Sequence, residues 1–272
     1  MRHFLGNFQP LCIIIFPFSF RWNESFTGVS LDDIGDIRER NCASRLLDIN
    51  FVEEINWVKK WVEHVNSPVV FCHNDLQGGN ILLRHDLGDK DDNMDAKLVV
   101  IDYEFCSYNY RAFDIANHFH EWMFDYTNKS YPYYHSAKDR FPTKETRVTI
   151  SSLYYLNLCP KIRNFFQLEF IKNYMDESLA GSPKALSMTN ENRLQLAEAL
   201  QKEVEAFFIV PNLLWAMWAM AQSVSTKITF GYWVRNNTVE NLSIKSNFPF
   251  IFQMFAEERM QYYFHFKESC NF

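Results

Sequence analysis

Apolar residues recur at three- and four-residue steps through Phe51, Ile55, Val58, Val62 and Val65, with Glu53, Glu54, Lys59, Lys60 and Glu63 on the remaining positions. That spacing predicts an amphipathic helix within a helical stretch over 30–66, and Ser67-Pro68 is its stop. Val69-Val70-Phe71-Cys72 is a short apolar run, and Ile81-Leu82-Leu83 and Leu98-Val99-Val100-Ile101 are two more, the signature of short buried strands. Arg84 to Ala96, between the last two, is polar and carries Gly88 and aspartates at 86, 89, 91, 92 and 95, the composition of a loop. From about residue 112 the pattern is mostly helical, and Pro211 in a first turn followed by Leu213 to Val224 marks one long apolar helix. Short strands followed by many helices predict an α+β fold. No internal repeat and no low-complexity tract is present.

The loop between the first two strands carries the chemistry. His73-Asn74-Asp75-Leu76-Gln77-Gly78-Gly79-Asn80 holds H-x-D with an Asn five residues after the Asp, and Asp102 ends the next strand 27 residues after Asp75. Protein kinases use this layout for phosphoryl transfer, in which positioning and charge neutralisation matter more than covalent chemistry. Asp75 fits the carboxylate that orients the attacking hydroxyl and takes its proton. Asn80 and Asp102 fit the hard oxygen ligands that Mg²⁺ requires. Gly78-Gly79 is expected to let the loop turn tightly, and His73 to orient the loop backbone rather than carry a proton.

Composition narrows the partners. The 272 residues are 47% hydrophobic and 22% charged, a globular profile with a net charge of −6 and no basic stripe, which disfavours nucleic acid and anionic membranes. The six cysteines form no C-x-x-C pair, which argues against structural zinc and suits a reducing, cytoplasmic setting. Leu11 to Phe18 resembles a signal-peptide core, but it is too short to cross a bilayer and Pro17 interrupts it; no transmembrane helix is predicted. Aromatic residues reach 17%, which suits either an aromatic-rich core or a pocket for an organic cation.

Several blocks together resemble the choline/ethanolamine kinases. They are Cys72-His73-Asn74-Asp75 with Asn80, Ile101-Asp102-Tyr103-Glu104-Phe105, Tyr108-Asn109-Tyr110-Arg111 and Phe113 to Trp122. Leu214-Trp215-Ala216-Met217-Trp218, Phe230-Gly231-Tyr232 and Phe255 to Phe264 follow. The likeness is close over about 67–142 and 200–232, with a last block at 255–267. It implies a protein-kinase-like fold in which 28–272 is the C-terminal lobe, mostly helical, with a short β-hairpin region carrying the catalytic loop. Residues 1–27 stay unassigned and match nothing in an ATP-covering N-terminal lobe, which is expected to be largely missing. No G-x-G-x-x-G occurs, and Lys59 and Lys60 lie on a helix rather than on a lobe strand. Residues 234–254 read as an atypical insert without helical period and, like 1–20, as sequence foreign to the family.

The resemblance implies ATP and Mg²⁺ as cofactors, with Gln77, Asn80 and Asp102 binding them, and Asp75 and His73 in the catalytic set. It implies choline as substrate, phosphorylated as the first step of phosphatidylcholine synthesis. A quaternary ammonium has no N–H to donate, so aromatic faces must hold it; Phe105, Tyr126, Trp215, Trp218 and Phe230 are the candidates, with Glu104 as a counter-charge. Phe105 stands where the family commonly has Tyr, and Thr229 where an acid is frequent. Details in 77–83 and 121–126 lean to the choline branch. Ethanolamine kinase and a choline-binding relative without turnover stay open, as does a homodimer; an aminoglycoside-type phosphotransferase fits the aromatic set less well.

Overall fold

The computed structural model describes residues 30–34, 36–83, 98–141, 171, 173–179, 189–225 and 248–270. Asp36 opens helix α1 (Ile37–Leu47) by accepting from the backbone N–H groups of Arg38 and Glu39, and Asn50 opens α2 (Phe51–Val65) by accepting from Glu53. These two side-chain caps satisfy N–H groups that a helix start leaves orphaned, so the predicted helical stretch over 30–66 is two helices with a break at 48–50. Phe51, Ile55, Val58 and Val62 are buried as their period predicts, and Trp61 joins them. Asn66 ends α2 in the left-handed region (φ 52°) with its N–H on Val62 O, a conformation that Asn tolerates better than most residues.

The three expected strands form as β1 (Val69–Cys72), β2 (Ile81–Leu83) and β3 (Leu98–Val100), but they are not the buried strands that their apolar runs suggested, since Phe71, Leu82, Leu83 and Leu98 are exposed. β2 and β3 pair antiparallel, Ile81 opposite Val100 and Leu83 opposite Leu98. β1 pairs instead with β4 (Ser107–Tyr110), which the apolar pattern did not reveal because Ser107-Tyr108-Asn109-Tyr110 is polar and aromatic. α3 (Arg111–Glu121) follows at once, and a small hairpin, β5 (Phe124–Asp125) with β6 (His135–Ser136), interrupts the predicted helical run. The loop expected at Arg84 to Ala96 lies outside the described residues.

Three long helices complete the core: α4 (Asn190–Ala206), α5 (Ile209–Ser225) and α6 (Phe248–Lys267). α5 lies along α6, α6 also meets α1, and α3 packs on α4, α5 and β1. Glu203 of α4 receives both arms of Arg111 (3.0 and 2.7 Å) and the Ser67 hydroxyl (2.6 Å), which fixes α4 against the junctions of β1 and α3. Glu191–Ser223 is long and apolar enough to cross a membrane by composition, but 83% of its most apolar window is buried inside the molecule. Burial against other helices accounts for that apolarity. α6 also corrects the expected insert: residues 248–254 are its first turns, and Phe252 and Gln253 are buried. Residues 248–254, expected to lack a helical period, are therefore helical, and Phe252 of this stretch belongs to the core.

His120, fully buried on α3, lies among the rings of Phe141, Phe208 and Phe266 at 4.9–5.3 Å and bonds Ala116 O through Nδ1. Burial pushes its pKa down to about 3, so it is a neutral member of the core. Phe113, on the same helix, has no exposed surface. Phe113→Ala removes a ring from a close-packed site and is expected to cost about 3–5 kcal/mol, read as a lower urea midpoint with an unchanged slope. A loss under about 1 kcal/mol would show that the core relaxes to fill the space.

Candidate active site

The loop after β1 is held from below by one carboxylate. Asp114, in the first turn of α3, accepts from His73 N (2.9 Å) and Asn74 N (2.7 Å). Asn74 has φ 66°, and its side chain is fully engaged. Its amide nitrogen donates to Phe105 O (2.8 Å) and Ser107 Oγ (2.9 Å), and its oxygen accepts from Asn109 Nδ2 (2.8 Å). A strained turn persists only where its surroundings over-determine it. Here the result is that Asp75, the next residue, is presented from a rigid backbone.

Asn80 comes to Asp75 through a single 3₁₀ turn, Gly78–Asn80, and donates to Asp75 O (2.8 Å) and Oδ2 (3.1 Å). Its carbonyl takes Ile101 N (3.0 Å), which brings the end of β3 and hence Asp102 alongside. Asp102 also has a left-handed backbone, φ 64°. His73 closes the arrangement. A carbonyl only accepts, so Nε2 carries the ring proton and donates to Ile101 O (3.0 Å), while Nδ1 accepts from Asp75 N (3.3 Å). Both ring nitrogens are engaged with backbone, so His73 joins the two acidic segments. The loop turns tightly at the two glycines as expected, although neither adopts a left-handed φ. A Cβ on Gly79 would come 3.0 Å from Gln77 Oε1, which caps the turn by accepting Gly79 N, whereas one on Gly78 would meet nothing within 4 Å. Close approach of Gln77 explains Gly79; no described contact explains Gly78.

Burial pushes the Asp75 carboxyl up to about 8, and the negative charges of Glu121, Asp102 and Glu104 add to it, against the Asn80 hydrogen bond. Among the described residues neither Asp75 nor Asp102 pairs with a Lys or Arg. A surplus of oxygen-bearing acids with no cation of their own fits a divalent ion. Asn80, whose amide N–H groups face Asp75, and Asp102 are the side chains to hold it. No group of three His, Cys, Asp or Glu is assembled among the described residues, and a two-oxygen set suits Mg²⁺, which keeps waters and takes phosphate oxygens.

The aromatic candidates divide. Phe105, Trp215 and Trp218 form an edge-to-face chain with centroids 5.8 and 5.5 Å apart, continued to Phe252 at 5.8 Å. Tyr126 stacks with Phe124 (6.1 Å), lies 6.4 Å from the Phe255 ring and donates to Glu121 (2.8 Å); Phe255 is three residues from Phe252 on α6. Glu121 is also ion-paired with Arg259, both buried, and the Arg259 guanidinium lies 4.0 Å from the Phe124 ring centre and 4.8 Å from that of Phe255. Glu104 is exposed. Phe230 and Thr229 lie outside the described residues.

Sequence reasoning gave no role to Asn74, Asp114, Asn117 or Glu121. Asp114, Asn117 and Glu121 are spaced i, i+3 and i+7 among buried apolar residues of α3. Three polar side chains down one otherwise apolar helix face are a legible signal that something there needs them.

The sequence model of the choline/ethanolamine kinase family matches residues 21–264. Human choline/ethanolamine kinase is 36% identical over 180 residues, covering 66% of this chain and 38% of that protein. Mouse choline kinase alpha is 34% identical over 188 residues, covering 69% and 36%. The chain thus spans less than half the length of these curated relatives. The crystal structure of choline kinase from Cryptosporidium parvum superposes with a TM-score of 0.58 at 20% identity, over 98% of this chain and 60% of that one.

The Asp75 environment makes a prediction about stability. The folded state keeps on Asp75, up to a pH of about 8, a proton that the unfolded chain releases near 3.8. Folding therefore takes up a proton between those values, and stability falls as pH rises through that window. In chelator, Asp75→Asn is expected to be more stable than the unaltered chain by roughly 1–3 kcal/mol above pH ~8 and equal to it near pH ~4. Thermal melts followed by circular dichroism at the two pH values check this; equal stability at both would mean that the carboxylate is compensated.

Proposed function

The chain belongs to the choline/ethanolamine kinase family, and from that membership we propose that it carries out ATP-dependent phosphorylation of choline to phosphocholine, the first step of phosphatidylcholine synthesis. The observation that carries the reading is the pairing of a rigidly presented carboxylate, Asp75, with a ring cluster that shares its supports. The Phe105 carbonyl bonds Asn74, the residue before Asp75, and the Phe105 ring meets Trp215.

ATP would supply its γ-phosphoryl group and leave as ADP, and Mg²⁺ would offset the charge of the phosphate oxygens. Asn80 and Asp102 would hold the metal, with Gln77 beside them at the nucleotide. Asp75 accepts a hydrogen bond from the choline hydroxyl, turns its oxygen toward the phosphorus and receives the proton as the new bond forms. Without a metal Asp75 keeps its own proton up to about pH 8; a cation held beside it would lower that value and leave the carboxylate ionised to receive the hydroxyl proton. His73 and Asp114 keep the loop from shifting while the proton moves. Trp215, Trp218 and Phe105 receive the trimethylammonium group on ring faces, which excludes water from a cation that water hydrates weakly. Four described cysteines, at 42, 72, 106 and 270, are free thiols, which suits a cytoplasmic enzyme.

The chain incubated with ATP, Mg²⁺ and choline should form phosphocholine, detectable by phosphorus NMR, and Asp75→Asn should lower kcat at least ~10³-fold, since it keeps volume but removes the base. Turnover of ethanolamine alone would move the reading to the other branch of the family, and choline binding without turnover would make the chain a binding relative.

Specificity gives a second expectation. A desolvated cation–π contact is worth about 2 kcal/mol, so Trp218→Ala should weaken choline binding roughly tenfold or more. Ethanolamine binding should change less, because its ammonium keeps its hydration better in water than among rings. Calorimetric titration of both amines separates the cases; equal losses for the two would assign Trp218 to the core.

A further inference from the structure

Asn117 lies on α3 with no exposed surface, between two parts of the site that no strand or helix connects directly. Its Nδ2 donates to Asn74 O (3.2 Å), and its Oδ1 accepts from Trp215 Nε1 (2.7 Å). The orientation of the amide is not arbitrary. An indole nitrogen only donates and a carbonyl only accepts, so the oxygen must face Trp215 and the nitrogen must face the loop. Asn74 O belongs to the peptide unit whose N–H is that of Asp75, the same N–H that rests on His73 Nδ1. One buried side chain therefore holds a ring of the aromatic cluster at one end and the peptide of the candidate base at the other.

We propose that Asn117 is a positioning residue that couples the aromatic cage to the catalytic loop, so that a displacement of Trp215 is transmitted to the Asp75 peptide. The inference deepens the reading of the site as a choline kinase and rests on it for its catalytic consequence. The coupling itself is a property of the unliganded chain. Few other side chains can replace Asn here. Ala removes both bonds; a carboxylate keeps the indole bond but turns an acceptor toward the Asn74 carbonyl; Gln has the right ends on a longer stem in a space with no room. Trp215→Phe removes the indole N–H together with part of the ring system and leaves one aromatic ring in place.

The decisive measurement is the backbone amide resonance of Asp75 in the intact ¹⁵N-labelled chain without ligand. Trp215→Phe is expected to shift it, and the same substitution in an Asn117→Ala background is expected to leave it where Asn117→Ala alone put it. Asn117→Asp, which keeps the volume, serves if Asn117→Ala does not fold: there the Trp215 indole proton stays protected from exchange while the Asp75 amide moves. In turnover, Asn117→Ala should lower kcat for choline roughly tenfold, the scale of one lost buried hydrogen bond. Trp215→Phe added to it should cost little more, a non-additive cycle. A Trp215→Phe shift at Asp75 that is the same with and without Asn117, or strictly additive losses in kcat, would overturn the coupling. Absence of phosphocholine from the unaltered chain would overturn the activity instead, and the resonance measurement would still decide the coupling.

Discussion

Two adjacent N–H groups on one carboxylate hold this site together. Asp114 takes the His73 and Asn74 amides at 2.9 and 2.7 Å, and each charge-assisted bond of this kind is worth about 1.5–3 kcal/mol. The left-handed turn at Asn74 depends on that grip, and from the turn follow the direction of Asp75, the reach of Asn80 to it and the engagement of Asn74 with Phe105, Ser107 and Asn109. Asp114 itself is placed by α3, whose burial is enforced by Phe113, Ile115, Ala116 and Phe119. An apolar core thus sets the geometry of a polar loop through side chains of one helix, Asp114 foremost, with Asn117 on Asn74 O and His118 on Leu76 O.

A second constraint is electrostatic. Glu121 and Arg259 are both buried, and breaking such a pair from one side costs about 3–5 kcal/mol because the other charge is left behind. The faces of Phe124 and Phe255 receive the guanidinium, whose Nε and Nη1 have no hydrogen-bond partner among the described residues. The hydroxyl of Tyr126 takes part of the Glu121 charge. Tyr126, read from the sequence as one more ring of a cation cage, is here also a hydrogen-bond donor that tunes a neighbouring acid.

The legible parts of this molecule were those with short-range signatures. The period through Phe51, Ile55, Val58 and Val62 located α2 because burial imposes a repeat on adjacent residues, and the apolar runs at 69–72, 81–83 and 98–101 located β1 to β3, though not their exposure, because β-branched residues favour an extended backbone. The H-x-D, Asn80 and Asp102 spacing brought together residues that the fold does bring together. β4 was hidden because its partner β1 lies far back along the chain, and nothing in Ser107-Tyr108-Asn109-Tyr110 alone favours a strand. The roles of Asn117 and Arg259 were hidden for a related reason: their partners are 98 and 138 residues away. The opening of α6 was misread because a helix buried on several sides carries apolar residues without a clean period.

The ion pair between Glu121 and Arg259 has a consequence for how the protein comes into being. A ribosome makes the loop, Asp75 and α3 long before it makes α6, and chains emerge at roughly 5–20 residues per second. During that interval Glu121 has no guanidinium to face and Phe252 and Phe255 are not yet there to cover α5 and the hairpin. The chemical half of the site is therefore synthesised early and remains open, hydrated and unfinished until the last helix arrives. A nascent chain stalled before α6 would expose the apolar surface of α5, a target for chaperones.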